Sequence, residues 1–473
     1  MSEQETTKQE GKLMNRWIIV VAAVLVQFAL GAVYSFSFLQ KPIMSFIVGL
    51  STITTANYKD AGLTSTSLLP FAFALLFFSV AMIPAGRWQD KKGPKIVALT
   101  GGVILVAGIF LACLVVSMPS GGSVWGLVVT YGMIGGLGIG FAYVCPIACA
   151  TKWFPDKIGL INGLAVAGFG AGSILFNVIY YYAAAPISGI YQLPTTSLLL
   201  GAILMAAFIF PGAFVLRNPP AGYKPAGWEP PKPAANVAVV ENWTTSQMVK
   251  TPTFYGLWIM YICSAICGLM VIGNFLKYGQ LIAPALTGDL VVAVAALAGC
   301  CNAVGRIVWG KISDKIGRVQ TMKIMFIIQA AAMILFGLAT YAGTGALVMW
   351  AIFGCSVYFC FGGNLSLFPA ATRQFYGPKN MGLNYGVVFS AYGTAAILGA
   401  LLAGPLLAAM SNSYALYFIL FGCMSSAAFI VSFFTKTPTS ASKEEKVAEA
   451  PAPKAQARET EETEEKPADE PEE

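Results

Sequence analysis

The chain contains no histidine, and only 11% of its residues are charged. Without imidazole it lacks the one side chain that ordinarily changes charge near neutral pH, which is also the commonest metal ligand. Acids are scarcer still. Between Arg16 and Lys436 there are seven, Asp60, Asp90, Asp156, Glu229, Glu241, Asp289 and Asp314, all in loops or at the ends of apolar stretches. The ten cysteines form no CxxC pair and sit in or beside apolar runs, where a thiol packs as a small hydrophobe. Nucleophile, base and metal ligands cannot be assembled from this inventory, so no catalytic residue, metal or cofactor is expected.

What the chain has in quantity is hydrophobic residues, 57% of 473. Twelve apolar stretches reach the roughly 20 residues that cross a hydrocarbon core: 17–39, 68–86, 96–117, 124–150, 158–182, 195–216, 253–276, 289–310, 322–342, 346–370, 383–408 and 414–435. Lipid offers backbone amides no partners, so these must be helices. The uninterrupted runs do not show the alternation of a membrane barrel. The fold class read here is an all-α membrane protein of twelve transmembrane helices.

The net charge of +7 does not indicate nucleic acid, because the bases cluster at alternate helix ends. Lys8, Lys12 and Arg16, then Arg87, Lys91, Lys92 and Lys95, then Lys152 and Lys157 begin a pattern that runs on through Lys311, Lys315, Arg318 and Lys323 to Lys436. The opposite ends hold only Lys41, Lys59 and Lys277. The positive-inside rule then puts both termini in the cytoplasm, and the first apolar stretch, with no small-residue cleavage site, stays as a helix. A prokaryotic inner membrane, the bilayer as partner and a monomeric state are the expectation.

The organisation expected is a polar segment 1–16, a six-helix half 17–216, a linker 217–252, a second half 253–435 and an acidic tail 436–473. From Thr437 the tail carries twelve acids against five bases and is too polar to fold alone. Prolines extend the first part of the linker, and Trp243 to Lys250 reads as a short interfacial helix. An internal repeat supports two halves: Gly86, Asp90 and Gly93 after the second span recur as Gly310, Asp314 and Gly317 after the eighth. Glycines every four residues, Gly132, Gly136 and Gly140, fit no nucleotide loop and suit close helix packing.

The G-x-x-x-D-x-x-G spacing of Gly86, Asp90 and Gly93 resembles the major facilitator superfamily, over residues 14 to 436. Three stretches are similar to the oxalate:formate antiporter family and its monocarboxylate transporter relatives: Lys152 to Gly159, Trp243 with Met248 to Phe254, and Asn302 to Arg306. The resemblance implies two pseudo-symmetric six-helix halves, and a carboxylate-binding arginine at Arg306. Relatives often carry an acid where this chain has Asn302, and oxalate exchangers place a lysine where it has Tyr392. It further implies that Tyr34, Tyr143 and Tyr392 face the substrate, that Phe169, Phe361 and Leu365 form walls, and that Gly86, Asp90 and Gly93 gate one end. Asp314 is given the equivalent gating role in the repeat, with plain turn-capping as the alternative.

The residues support this reading on their own terms. An arginine inside an apolar span costs roughly 2.5 to 3.5 kcal/mol on insertion scales and usually faces a cavity. Arg306 shares one helical stripe with Ala295, Gly299 and Asn302, while Leu297 and Val304 lie elsewhere. Measured to Gly310, it lies about 6 Å from the helix end, so snorkelling to the interface competes with anion binding. Tyr34, Tyr143, Tyr358 and Tyr392 are buried hydroxyls seeking partners, as substrate ligands or in helix packing. Gln27, Asn177, Asn274 and Asn364 read as interhelical hydrogen bonds. With no buried acid or histidine, exchange is favoured over proton symport, Asp60 and Asp289 being the acids nearest the outer mouth. The function expected is transport of a small organic anion, a monocarboxylate of the lactate, pyruvate, formate or acetate class. An oxalate/formate-type dicarboxylate exchanger, a carrier of another small solute and a membrane sensor are the alternatives.

Overall fold

The computed structural model describes residues 14–49, 60–118, 123–183, 195–220, 222–225, 242–283, 289–377 and 380–438. The start of the N-terminal segment, linker residues 221 and 226–241 and nearly all of the acidic tail lie outside them. Among the described residues there is no strand, and twelve helices are long and apolar enough to cross a membrane. Numbered in chain order, helix 1 runs Arg16–Leu30, Gly31–Ser35 and Phe36–Val48. Helices 2 and 3 are Ala61–Lys92 and Pro94–Val116; helix 4 is Val124–Leu127, Val128–Gly135 and Gly136–Trp153. Helices 5 to 8 are Ile158–Ala183, Thr195–Val215, Pro252–Ile282 and Asp289–Ile316. Helices 9 to 12 are Arg318–Leu338, Ala346–Tyr376, Met381–Ala409 and Tyr414–Phe434.

Several helices outrun their apolar stretches. Helix 2 begins at Ala61 rather than residue 68, because the Asp60 carboxylate caps it by accepting from the Leu63 amide at 2.5 Å. In its polar first turns Thr64 and Thr66 satisfy their hydroxyls on carbonyls one turn back. Helix 8 continues past Gly310 to Ile316 through the charged residues Lys311, Asp314 and Lys315, and the complete burial of Arg306 against the Val166 carbonyl of helix 5 removes the snorkelling reading. Helix 1 is not continuous: a 3-10 stretch, Gly31–Ser35, interrupts it where Tyr34 stands. Such tightening inside a long helix often marks a hinge.

The repeat is visible in the backbone. Gly93 and Gly317 take φ of 85° and 89°, the left-handed region open to glycine, and each turns directly into the next helix. Lipid-facing positions such as Val103, Phe110, Ile203, Val304 and Ile352 are exposed apolar residues. In the linker, Thr244 and Gln247 form a capping box over the helix Thr245–Met248. That short helix is not merely interfacial: Met248 is fully buried, and Asn380 and Asn384 both donate to the Trp243 carbonyl.

The two halves meet along helices 2 and 11 and along helices 5 and 8. At the end where the bases cluster, a Cβ on Gly386 would lie 3.4 Å from Ile83. At the opposite end the Ser65 hydroxyl donates to the Ala400 carbonyl at 2.7 Å and accepts from the Gly404 amide at 2.9 Å. On the other seam Asn177 donates to the Ala295 carbonyl and a Cβ on Gly163 would lie 3.9 Å from Ile307. The halves therefore touch at both ends. Small residues make this approach possible, as on membrane helix interfaces generally.

The same close packing operates inside each half. A Cβ on Gly136 would fall 2.9 Å from Ala74 Cα, whereas one on Gly310 meets only Ser366 at 3.9 Å. Gly136→Leu should destabilise the folded protein by about 1–3 kcal/mol, the usual range for overpacking. Detergent-extracted yield and melting temperature should fall for this variant and hold for Gly310→Ala.

Candidate functional site

Arg306 is fully buried on helix 8, and no acid pairs with it among the described residues. Its Nε donates to Asn302 Oδ1 at 3.1 Å, one turn earlier on the same helix. Its Nη1 donates to the Val166 carbonyl at 2.6 Å, on helix 5 of the other half. Nη2 has no hydrogen-bond partner. The guanidinium carbon stands 5.2 Å from the Phe169 ring centroid and 5.9 Å from that of Tyr34, within cation-π range. A buried charge with unused donors and no paired acid among the described residues is costly to hold.

Asn302 does not aim its amide at open space. Its Oδ1 takes the Arg306 Nε, and its Nδ2 donates to the Tyr358 carbonyl at 3.2 Å on helix 10. Both ends of the amide are thereby engaged, one of them on Arg306. Helix 10 comes this near helix 8 because residue 362 is glycine; a Cβ there would lie 3.3 Å from Arg306 Cγ and still nearer the Asn302 carbonyl. Tyr358 contributes that carbonyl while its ring packs edge-on against Phe275 at 5.3 Å. Its ring therefore joins the interior of the second half instead of the tyrosine pair described next.

Tyr34 and Tyr392 share a hydrogen bond of 2.8 Å between their hydroxyls. One lies on helix 1 and the other on helix 11, so this bond crosses the two halves. Around it stands a shell of rings: Tyr34 packs on Phe169 at 5.0 Å and on Phe361 at 5.7 Å, and Tyr392 on Phe389 at 4.9 Å. Tyr143 joins through Phe169 at 5.3 Å and Phe78 at 4.9 Å, and its buried hydroxyl has no partner. Leu365 is buried too.

The structure thus brings Arg306, Tyr34, Tyr143, Tyr392, Phe169 and Phe361 to one place and gives Asn302 and Tyr358 supporting parts. Sequence reading missed Phe78, Phe389, Tyr261 and Tyr385. Tyr261 stacks on Phe368 at 4.0 Å, and the Tyr261 and Tyr385 hydroxyls are buried beside each other. Phenylalanines in an apolar span carry no sequence signal that separates pocket wall from core. Tyr261 could have been flagged by the criterion applied to Tyr392, a hydroxyl well inside a span, whereas Tyr385 lies at the edge of its own.

The charged turns differ from each other. Gly86 faces Gly382 across the halves, and Asp90 Oδ2 lies 3.9 Å from where a Gly382 Cβ would stand, at the N-terminal turn of helix 11. A carboxylate there meets the positive end of that helix's dipole. Asp314 instead pairs with Arg318 at 2.6 Å within its own half, its side chain half exposed. Of the four polar residues read as interhelical, Gln27 donates to the Tyr143 carbonyl and Asn177 to that of Ala295, while Asn274 and Asn364 accept from Gln40 and Ser264.

Lys277 departs most from its sequence reading. It is 2% exposed rather than a surface charge, and donates to Thr64 Oγ1 on helix 2. No cluster of residues able to hold a metal ion occurs among the described residues.

Residues 13–399 match the family described as Major Facilitator Superfamily. The chain is 29% identical to the oxalate:formate antiporter of Oxalobacter formigenes, covering 88% of this chain and 89% of that one. It is 27% identical to apicoplast pyruvate carrier 1 of Toxoplasma gondii, over 82% and 83% of the two chains. In fold it is similar to the xylose transporter XylE from E. coli in a partially occluded inward open conformation, with a TM-score of 0.63 at 15% identity, over 89% of this chain and 97% of that one.

The Tyr34–Tyr392 bond should be measurable as a coupling. In a double-mutant cycle of Tyr34→Phe and Tyr392→Phe, followed by thermal unfolding in detergent, the coupling should be about 0.6–1.5 kcal/mol.

Proposed function

The chain belongs to the major facilitator superfamily, and from that premise we propose that this transporter moves a small monocarboxylate by alternating access, in exchange for a second anion. It is an integral membrane protein and not an enzyme. The observation that carries the substrate reading is the buried, acid-free Arg306, whose Nη2 is unpartnered beside Phe169 and Tyr34. A guanidinium offers a carboxylate two parallel charge-assisted hydrogen bonds, while an aromatic shell accommodates a short carbon chain and discourages additional charge. A single cation at the site suits one negative charge.

The relatives named for oxalate, formate and pyruvate support a small carboxylate as the class. The Tyr392 hydroxyl, bonded to Tyr34, supplies no second positive charge for a dianion. Exchange is favoured over proton symport because Arg306 pairs with no acid among the described residues and the chain has no histidine. The basic ends of the helices favour an arrangement with both termini in the cytoplasm; a prokaryotic inner membrane and a monomeric state belong to the same proposal.

Arg306→Lys keeps the charge but loses the planar fork. It should lower exchange of radiolabelled pyruvate in proteoliposomes by about tenfold or more, the effect of removing one strong ionic hydrogen bond. Pyruvate, lactate, formate and acetate should raise the melting temperature of the wild type and not of Arg306→Ala. Equal stabilisation of both proteins would remove Arg306 from the site. Uptake that rises several-fold with an imposed proton gradient and no internal anion would replace exchange with symport.

The two turns should separate in the same assay. Asp90→Asn should slow the maximal exchange rate several-fold, because its carboxylate sits against helix 11 of the other half. Asp314→Asn should stay near the wild-type rate, its partner Arg318 being in its own half.

A further inference from the structure

Arg306 is not the only cation inside the spanning region. Lys277 stands on helix 7 of the second half, and its ammonium donates to Thr64 on helix 2 of the first half. It also lies 5.4 Å from the Tyr414 ring centroid. A lysine nitrogen offers more donors than one neutral hydroxyl and a ring face can use, so its burial is only partly satisfied. Asp60 is close enough to act on it through space. That carboxylate is already occupied as the cap of helix 2, and no ion pair joins it to Lys277.

The position along the axis matters. Counting at about 1.5 Å per residue, Lys277 is about 7 Å from the end of helix 7, and Arg306 about 25 Å from the start of helix 8 at the same end. A pyruvate-sized anion cannot touch both. Around Lys277 the contacts across the seam are polar: Gln40 of helix 1 donates to Asn274 of helix 7 at 3.5 Å, and Ser65 of helix 2 bonds to helix 11. Contacts of this kind can exchange partners with water or solute when the halves part, unlike the ring shell at the centre.

We propose that Lys277 is a second carboxylate-binding station, at the mouth opposite the basic end, in series with Arg306; this rests on the carboxylate reading above. When the halves separate at this end, Thr64 leaves with helix 2 and the freed ammonium receives the carboxylate of the incoming anion. Closure returns Thr64 to Lys277 and commits the anion to Arg306. Lys277 touches the substrate only in passage, so it governs capture from one side and not the affinity of the central site.

The test is pyruvate exchange in proteoliposomes of defined orientation, with half-saturation measured separately from each side. Lys277→Gln should raise the half-saturation concentration on the Lys277 side by about tenfold and flatten its dependence on ionic strength, as expected when a steering charge is lost. From the other side it should stay within about twofold of wild type, and Lys277→Arg should restore capture because the charge returns. Lys277→Met gives the same reading if the glutamine variant inserts poorly. No change on either side, or an equal rise on both, overturns the station and leaves Lys277 as a fastening between the halves. A wild type that carries no carboxylate from either side overturns the transport reading itself, and the station with it.

Discussion

A guanidinium without an acid, held out of water, is the constraint on which the centre of this protein depends. Arg306 is fixed from two sides, by Asn302 on its own helix and by the Val166 carbonyl of the opposite half. Neither partner is charged, so neither neutralises it, and Nη2 remains unused. An arginine paired to a carboxylate would be satisfied and indifferent to an anion. Here the positive charge is oriented but not cancelled, and because Val166 belongs to the other half, its geometry is tied to the closure of the two.

The surroundings are graded to match. Near Arg306 the interior is made of rings, Phe78, Phe169, Phe361 and Phe389 with Tyr34, Tyr143 and Tyr392, which exclude water and strengthen every electrostatic contact left inside. Toward the end opposite the bases the seam becomes polar, through Gln40, Ser65, Asn274 and Lys277. At the basic end it narrows to Gly86 against Gly382, with Asp90 at a helix N-terminus. An apolar middle thus lies between two polar ends of the seam.

Much of this was legible in the residues. Length and apolarity identify a spanning helix because lipid leaves the backbone no other choice, and the Gly86–Gly93 and Gly310–Gly317 turns declare the repeat. Arg306 stood out because charge in an apolar run is rare. What hydropathy could not see was continuation of a helix beyond its apolar stretch. Helix 2 carries Thr64, Ser65 and Ser67 in its first turns, and helix 7 runs on through Lys277 to Ile282. Buried hydroxyls and amines satisfied by neighbouring helices look, in sequence, like loop residues at an interface. The same blindness ended the eighth helix short of Ile316 and left Lys277 just beyond the end of the seventh.

Sequence by itself determined the class of the molecule, its two-fold internal repeat and the residue at its electrical centre, since each follows from local composition and spacing in a solvent that cannot hydrogen-bond. Only the tertiary structure decided what each polar group does there. Asn302 spans the Arg306 Nε and the Tyr358 carbonyl, which accepts from it; Tyr34 and Tyr392 became a link between halves, and Asp314 parted from Asp90 by pairing within its own half. Those roles depend on which helix lies opposite. Helix neighbours are set by small-residue contacts such as Gly362 against Asn302 and Gly393 against Leu76, between positions far apart in the chain.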